Sequence, residues 1–563
     1  MKPLARVISE GLKFRAEPFP ESRRRNVPLS QSLWPADAAA GGCDHLPLGR
    51  ALARSAARWP DAEAVVFACQ SSVAGVRWSF SELHERSTKL AYALIGAGYR
   101  PGERIALWAP NHPNWILLQF AIAKAGMVLV ALNPLYRAAE LEYALAASDA
   151  VAVFHDGTAG GEDMRAIVGK VRRSVPRLRG LYHIGDEVDR MEASASLNGL
   201  LPEVQANDLL MIQYTSGTTG LPKPTLLPHG PIVTIGALSY AAWGFGEGDR
   251  VCHGFPMFHV GGSGNSTPGA LMNGTTTLPI HIFKAEEALD ILERERCTGF
   301  IGVPSMLTAM MEADPDRRRN LSALRRIIVG GAAVPAPFLS RCEGFFNVEM
   351  LNGYGQTESC GVCATVRPGD PSERKIHSSG LALPGVSLKV VDDHGQIQPC
   401  GKPGELCVEG PGKMIGYGDP DESAKAFDGE GWLRTGDIAT MDTDGYVAIV
   451  GRLKDMVIRG GENLYPAEIE SFLLQHPDIN EVAVIGLPDE KYGEELCAVI
   501  RPASGSAPGE EAIRSWMRER VSRWKVPRYF AFVDALPVTG SGKVKKHELR
   551  PEMIRRFLGE TPA

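Results

Sequence analysis

Between Glu103 and Phe154 short apolar runs alternate with longer helix-length stretches, and this alternation restricts the fold more than any other feature of the chain. Residues 105–108, 127–131 and 150–154 are continuous apolar runs of strand length, separated by helical stretches at 115–125 and 139–147. Strands apolar on both faces must be covered on both faces, and strands joined through helices pair in parallel. A second round follows, with apolar 209–214, helical 285–296, and strand-like 299–303 and 327–329. The expected class is therefore α/β, with two α/β subdomains in one large N-terminal region. After Gly369 the texture changes to short strands and turns at 386–391, Asp393-His394-Gly395, 405–408 and 446–450, which predicts a β-rich subdomain. Beyond Gly451 a helix at 467–475, a strand pair at 481–485 and 495–501 and a helix near 510–520 predict a small α+β domain. The expected division is residues 1–451 and 452–563.

Charge and cysteine usage exclude several classes. Lys and Arg number 60 against 66 Asp and Glu, a net charge of -6, so no global basic field favours nucleic acid. The 10 cysteines are scattered rather than clustered, which argues against a disulfide scaffold and for a reducing compartment, with cytoplasmic location the expectation. The apolar stretches 115–123 and 127–132 are split by Lys124 and Gly126 and fall well short of the ~20 residues of a membrane span. The N-terminal Arg residues are interleaved with Glu10, Glu17 and Glu21 and lead into no apolar core, so an exposed cytosolic arm is expected.

The segment richest in chemistry is Tyr214-Thr215-Ser216-Gly217-Thr218-Thr219-Gly220-Leu221-Pro222-Lys223, which follows an apolar strand. Small residues let backbone N–H groups approach phosphate oxygens, hydroxyls add donors, and Lys223 adds a cation. Gly and Lys are not adjacent and no Ser or Thr follows the Lys, so this is not a P-loop NTPase. Alone, the segment is also compatible with a solvated turn.

That loop resembles the signature of the adenylate-forming (ANL) superfamily, which contains acyl-CoA synthetases, luciferases and peptide-synthetase adenylation domains. The resemblance continues in order through Pro256-Met257-Phe258-His259, Gly330-Gly331-Ala332-Ala333-Val334-Pro335, Asn352-Gly353-Tyr354-Gly355-Gln356-Thr357-Glu358 and Gly404-Glu405-Leu406. It goes on through Trp432-Leu433-Arg434-Thr435-Gly436-Asp437, Gly451-Arg452-Leu453-Lys454-Asp455, Gly460-Gly461-Glu462-Asn463 and Pro537-Val538-Thr539-Gly540-Ser541-Gly542-Lys543. Such a family joins a carboxylic acid to the AMP part of ATP, then passes the acyl group to a thiol. Two anions must meet, at a cost of ~4 kcal/mol per charge pair at about 4 Å and an effective dielectric of roughly 20, so cations must converge on the α-phosphate. A carboxylic acid is already ionised near pH 7, and positioning and electrostatics replace a general base.

The resemblance implies catalytic roles for Lys543, Glu358, Thr357 and His259. Lys543 would bridge the acid and the α-phosphate, Thr357 would donate to that phosphate, and His259 would stand where acyl pocket and thiol tunnel meet. Glu358, with Thr215, would hold Mg²⁺. Thr215, Ser216, Gly217, Thr218, Thr219 and Lys223 would surround the phosphates; Gly331, Ala332, Ala333, Asn352, Gly353, Tyr354 and Gly355 would flank the adenine. Asp437 would accept both ribose hydroxyls, Arg452 would contact ribose and phosphate, and Lys454 would be the hinge of a mobile C-terminal domain. Rotation there would exchange Lys543 for Gly460 and Gly461 at a pantetheine tunnel. The implied cofactors are ATP/AMP, coenzyme A and Mg²⁺; a carrier protein is another acceptor of the same chemistry.

No Asp stands early in 256–264 to pair with a substrate ammonium, so an uncharged acyl tail is expected. Gly261, Gly262, Gly264, Gly330, Gly331, Ala332 and Ala333 carry little side chain and leave volume for a long or bulky apolar acyl group, or the glycines serve tight turns and helix packing. One departure is Pro224-Thr225 after Lys223, where the family has Gly and a branched apolar residue. Proline removes an N–H and fixes φ, which raises the alternative of a chain impaired in adenylation that takes acyl-adenylate from an upstream enzyme. A nucleotide-binding protein without catalysis is the third reading. Cys360 and Cys363 are expected to be buried and structural, and Arg317–Arg319 with Arg325 and Arg326 to form a solvated helix edge. Lys525, Arg528, Lys545 and Lys546 could meet CoA or an acidic carrier.

Overall fold

The computed structural model describes residues 28–36, 45–70, 75–159, 161–215, 222–331, 334, 336–460, 462–503, 505–539 and 544–559. Ser216, Gly217, Thr218, Thr219, Ala332, Ala333, Gly461 and Lys543 lie outside these described residues.

The helix Pro113–Lys124 shows how the N-terminal region is centred, because all of its residues are buried. A helix apolar on every side has no solvent face and must sit inside. It packs on the strand Val128–Leu132 and on the helices Leu48–Arg58 and Phe80–Gly96, and the latter meets the strand Glu63–Phe67 of a second sheet. Burying Trp115, Ile116, Leu117, Leu118 and Phe120 contributes about 1.5–3 kcal/mol per side chain, which fastens the two sheets to a shared helical layer.

The first sheet has seven strands, Gly416–Tyr417, Lys223–Pro228, Leu209–Thr215, Val128–Leu132, Arg104–Trp108, Ala150–His155 and Gly180–His183, in that spatial order. Its last five are parallel. The second has nine strands with a parallel centre running Glu349–Gln356, Arg326–Gly330, Gly299–Gly302, Arg250–His253, Thr276–Pro279 and Glu63–Phe67. A third, antiparallel sheet of five strands joins Leu33–Trp34 to Ser387–Val391, Gly404–Glu409, Leu433–Met441 and Val447–Arg452. A turn at Leu453–Asp455 then leads into the C-terminal sheet, built on the long hairpin Ile479–Asp489 and Gly493–Pro502. The mixed α/β class expected from the alternation is the observed one.

Arg317–Arg319 with Arg325 and Arg326 do not form a helix edge. The helix Pro304–Ala313 stops before them, and Arg317 takes a left-handed φ of 53°. Arg319 pairs with Asp290 at 2.9 Å, Arg325 with Asp249, and Arg326 with Glu349 at 3.2 Å, so local acceptors rather than helical period set their course. Cys360 and Cys363 are buried free thiols, as expected, and burial pushes Cys363 up to about 12. Among the described residues no helix is long and apolar enough to cross a membrane.

His112, His229 and His253 are held neutral, each pushed down to about 4, with burial the leading cause. Unfolding returns them to ordinary values near 6.5, so between about pH 6.5 and 4 the unfolded chain binds more protons than the folded one. Stability should therefore fall as pH drops through that window, by up to about 1.4 kcal/mol per pH unit for each histidine. Urea unfolding at pH 7 and pH 5 measures this, and His253→Leu should show a shallower acid loss than the parent chain.

Candidate functional site

The strands Arg326–Gly330 and Glu349–Gln356 run parallel and end side by side, with Gly330 opposite Gly353. Gly331 then turns the chain away at φ 76°, a conformation that favours glycine. Loops outside the carboxyl ends of parallel strands are where α/β proteins bind ligands, and several of the residues singled out from sequence meet there. Asn352 donates its side-chain amide to Lys375 O and Ser378 O, both at 3.0 Å, while its Oδ1 is buried without a partner among the described residues. Gly355 sits at a bulge where an added Cβ would run into the Gly361 carbonyl. Gly355→Ala must open that bulge, at the roughly 1–3 kcal/mol of an overpacked core. A lowered unfolding midpoint together with weakened nucleotide binding is the expected outcome, read by thermal melts with and without AMP.

Asp437 and Arg452 face each other across the antiparallel strands Leu433–Met441 and Val447–Arg452. Arg452 Nε forms an ion pair with Asp437 Oδ1 at 2.8 Å, and the Tyr354 hydroxyl donates to Oδ2 at 2.6 Å. Both oxygens of a buried carboxylate are thus held in place by groups from two different sheets. Burial and then the adjacent Asp437 charge push the Tyr354 phenol well above its usual range, so it remains a donor.

Thr357 and Glu358 lie on the single turn Thr357–Ser359 that follows, closed by Cys360 at φ 56°. Glu358 O accepts from Met414 N–H at 2.9 Å, and Glu358 Oε1 accepts from the Tyr417 hydroxyl at 2.9 Å. Thr215 ends its strand opposite Lys223, and its hydroxyl lies 3.3 Å from that of Thr225. Lys223 is ion-paired with Glu422 and stands 5.4 Å from the centre of the Tyr417 ring.

Pro224 leaves the flanking strands intact. It pairs opposite Tyr214, and its carbonyl accepts from Gly418 N–H at 2.8 Å. A residue's N and O face the same side of a strand, so the missing N–H of Pro224 points toward Gly418 and away from the ladder with Leu209–Thr215.

His259 caps the segment Val260–Ser266, a single π-helical turn of the kind common at functional sites, and its Nδ1 accepts from Gly261 N–H at 3.1 Å. An added Cβ on Gly261 would press on the Phe255 ring at 3.0 Å, and one on Gly331 would touch Val303 and Phe255 at 3.5 and 3.6 Å. Phe255 and Val303 therefore form an apolar wall between the His259 and Gly331 loops. Asn111 secures it: its amide donates to Phe255 O and Ile280 O, and its Oδ1 accepts from Met257 N–H at 2.6 Å.

The C-terminal residues are arranged separately. Lys454 is exposed in the turn between the third sheet and the C-terminal sheet. Gly460, at φ 62°, donates its N–H to Tyr492 O and lies against the Tyr492 and Trp524 rings; among the described residues no hydrogen bond joins it to the Asp437 cluster. Lys525, Arg528, Lys545 and Lys546 are paired with Glu468, Asp489, Glu548 and Glu470. Asn111, Tyr417 and Glu422 were not singled out from sequence. No local pattern marks them, because their partners are remote in the chain.

A family model described as AMP-binding enzyme matches residues 52–418, and one described as AMP-binding enzyme C-terminal domain matches residues 468–543. The chain belongs to the AMP-binding enzyme family. Its membership places it in the adenylate-forming superfamily, classed with AMP-forming acid–thiol ligases. It is 36% identical over 533 residues to the mitochondrial medium-chain acyl-CoA ligase ACSF2 of Danio rerio, covering 89% of this chain and 87% of that protein. To the acyl-CoA ligase sidI of Aspergillus fumigatus it is 33% identical over 554 residues, covering 92% and 93%. The ATP-bound structure of MatB from Rhodopseudomonas palustris superposes with a TM-score of 0.83 at 28% identity, covering 91% of this chain and all of that one. The anthranilate CoA ligase AuaEII, in complex with anthranoyl-AMP, gives 0.82 at 27% identity, covering 90% and 96%.

Proposed function

We propose that the chain is an acyl-CoA ligase. It would join a carboxylic acid to the AMP moiety of ATP, release pyrophosphate, and pass the acyl group to coenzyme A. The observation that carries this reading is Asp437, a buried carboxylate whose two oxygens are oriented by Arg452 and Tyr354 beside the Gly330 and Gly353 strand ends. Two fixed acceptors a carboxylate apart suit the vicinal hydroxyls of a ribose. Asn352 Oδ1, buried and unpartnered among the described residues, supplies an acceptor for an exocyclic amine such as that of adenine.

In the first step a carboxylate oxygen attacks the α-phosphorus, and the bond to the bridging oxygen of the β-phosphate breaks, so pyrophosphate leaves. Lys223, the loop it ends, Thr357 and Lys543 would neutralise and orient the phosphates. Among the described residues no group of three or more His, Cys, Asp or Glu could cage a metal. A single carboxylate, Glu358, with the Thr215 hydroxyl nonetheless fits an Mg²⁺ that arrives with ATP, because that ion keeps phosphates and water among its ligands and needs few from the protein. Bound there, it would supply charge neutralisation. In the second step the thiolate sulfur attacks the acyl carbonyl, the bond to AMP breaks, and the thiol proton passes to solvent. Turning at Lys454 would bring Gly460 and Gly461 to the thiol path.

Phe255 and Val303 make the wall beside His259 apolar, which supports an uncharged acyl tail, and the medium-chain relative supports the same. Pro224 disturbs neither flanking strand, which favours the complete two-step reaction over thioester formation alone. The nine described cysteines are all free thiols, which supports a reducing compartment.

Acid-dependent ATP–pyrophosphate exchange tests this, run over medium-chain, long-chain, aryl and polycyclic acids with thioester analysis when CoA or a pantetheinylated carrier protein is added. Exchange with any acid, followed by acyl-CoA, is the expected result. Thioester formation from synthetic acyl-AMP without exchange would replace it by the thioester-only reading. Nucleotide binding with neither half-reaction would leave a binding protein.

A further inference from the structure

We infer that Tyr417 is a positioning residue for adenylation, coupling the metal-side carboxylate Glu358 to the phosphate-loop lysine Lys223. The inference rests on the acyl-CoA ligase reading and adds a part to it. Tyr417 stands in the short strand Gly416–Tyr417, which pairs with the strand Lys223–Pro228 through Thr225 opposite Tyr417. That pairing puts one phenol between the two charged groups. Its hydroxyl donates to Glu358 Oε1 at 2.9 Å, and its ring lies 5.4 Å from Lys223 Nζ.

Each contact has a consequence. A phenol is a neutral donor, so it fixes one oxygen of Glu358 without cancelling the charge. The other, Oε2, has no hydrogen-bond or ion-pair partner among the described residues and stays available to a hard cation. The ring itself attracts the Lys223 ammonium through its quadrupole. Glu422 completes the arrangement by ion-pairing Lys223, and Lys425 lies 2.9 Å from Glu422 on its other side. Tyr417 is itself fixed: its N–H donates to Ser423 Oγ at 2.8 Å, and Ser423 Oγ donates to Tyr417 O at 3.0 Å.

Lys223 thus rests on Glu422 and the Tyr417 ring, and the same tyrosine's hydroxyl holds Glu358. With triphosphate and Mg²⁺ bound, the lysine would exchange Glu422 for phosphate, and Tyr417 would keep Glu358 oriented to hold the cation. Tyr417→Phe removes the hydroxyl and keeps the ring, so the fold and the contact with Lys223 should survive.

The decisive experiment compares parent and Tyr417→Phe chains in two ways. Acid-dependent pyrophosphate exchange is titrated with Mg²⁺, and calorimetry measures binding of MgATP and of AMP. Expected for the variant are about a tenfold rise in the Mg²⁺ needed for half-maximal exchange and weaker MgATP binding. AMP binding and thioester formation from supplied acyl-AMP should change less than about twofold. In a Glu358→Gln background the substitution should add nothing to the Mg²⁺ requirement, the signature of two residues acting as one unit. Unchanged Mg²⁺ dependence and MgATP affinity would overturn the inference, as would equal losses in both half-reactions. If the parent chain itself shows no exchange with any acid, the ligase reading fails first, and that failure is recognisable because it precedes the variant.

Discussion

Lys543→Ala should lower acid-dependent pyrophosphate exchange by about 10²–10³-fold, the usual cost of removing one preorganised group that stabilises transition-state charge. Thioester formation from synthetic acyl-AMP should fall by less than about tenfold, since that step no longer brings two anions together. The reason lies in the charge balance of the described site. Arg452 is paired with Asp437, and Lys223, paired with Glu422 here, would be taken up by the triphosphate once ATP binds. Neither brings uncompensated positive charge to the acid carboxylate as it approaches the α-phosphate. An additional cation is required, and Lys543 is the residue that the family resemblance assigns to it. Single-turnover measurement of each half-reaction checks this, and an equal loss in both would assign Lys543 a general structural role. Lys543→Arg should recover only part of the rate, because a planar guanidinium does not replace a compact ammonium between two oxygens.

Where the function is legible in the sequence, it is so for a physical reason. Gly330 and Gly355 are small because backbone approaches backbone there, an added Cβ meeting Gly353 O at 3.2 Å and the Gly361 carbonyl respectively, and the register of Gly330 with Gly353 brings the two stretches together. The strands at 104–108, 128–132 and 150–155 were readable because burial on both faces leaves an uninterrupted apolar run. Polar partnerships had no comparable signal. Tyr417 and Glu358 are 59 residues apart and Lys223 and Glu422 are 199 apart, and no local period reports which remote carboxylate a side chain will meet. The helix Lys546–Leu558 escaped notice because Pro551 lies inside it and its apolar residues are sparse. Its Leu549, Met553 and Ile554 are buried with Ile485, Leu487 and Cys497, a tertiary contact that overrides a poor local propensity. Pro224, which from sequence raises a disturbed phosphate loop, stands in a strand opposite Tyr214 with its missing N–H turned away from that ladder, a placement only the tertiary pairing shows.

Asp437→Asn should weaken AMP binding by about 50-fold, the equivalent of roughly 2–3 kcal/mol for two charge-assisted hydrogen bonds reduced to neutral ones. The same substitution should cost little stability. Breaking a fully buried ion pair typically costs 3–5 kcal/mol because the surviving charge is stranded, but the Arg452 side chain is 41% exposed and water can solvate it once its partner is neutral. Tyr354 keeps an acceptor, since the asparagine carbonyl can replace Oδ2. Binding and folding are therefore expected to separate: calorimetry should record the lost affinity while the ligand-free melting temperature moves by only a few degrees. The hydroxyl-by-hydroxyl origin of the effect can be isolated with 2′-deoxy-AMP. If Asp437 receives the ribose hydroxyls, removing the 2′-hydroxyl should cost the parent chain several-fold in affinity and cost the Asp437→Asn chain distinctly less, because the two changes delete the same contact. Additive losses would mean that Asp437 acts only by orienting Arg452 and Tyr354, and the ribose would have to be held by other groups.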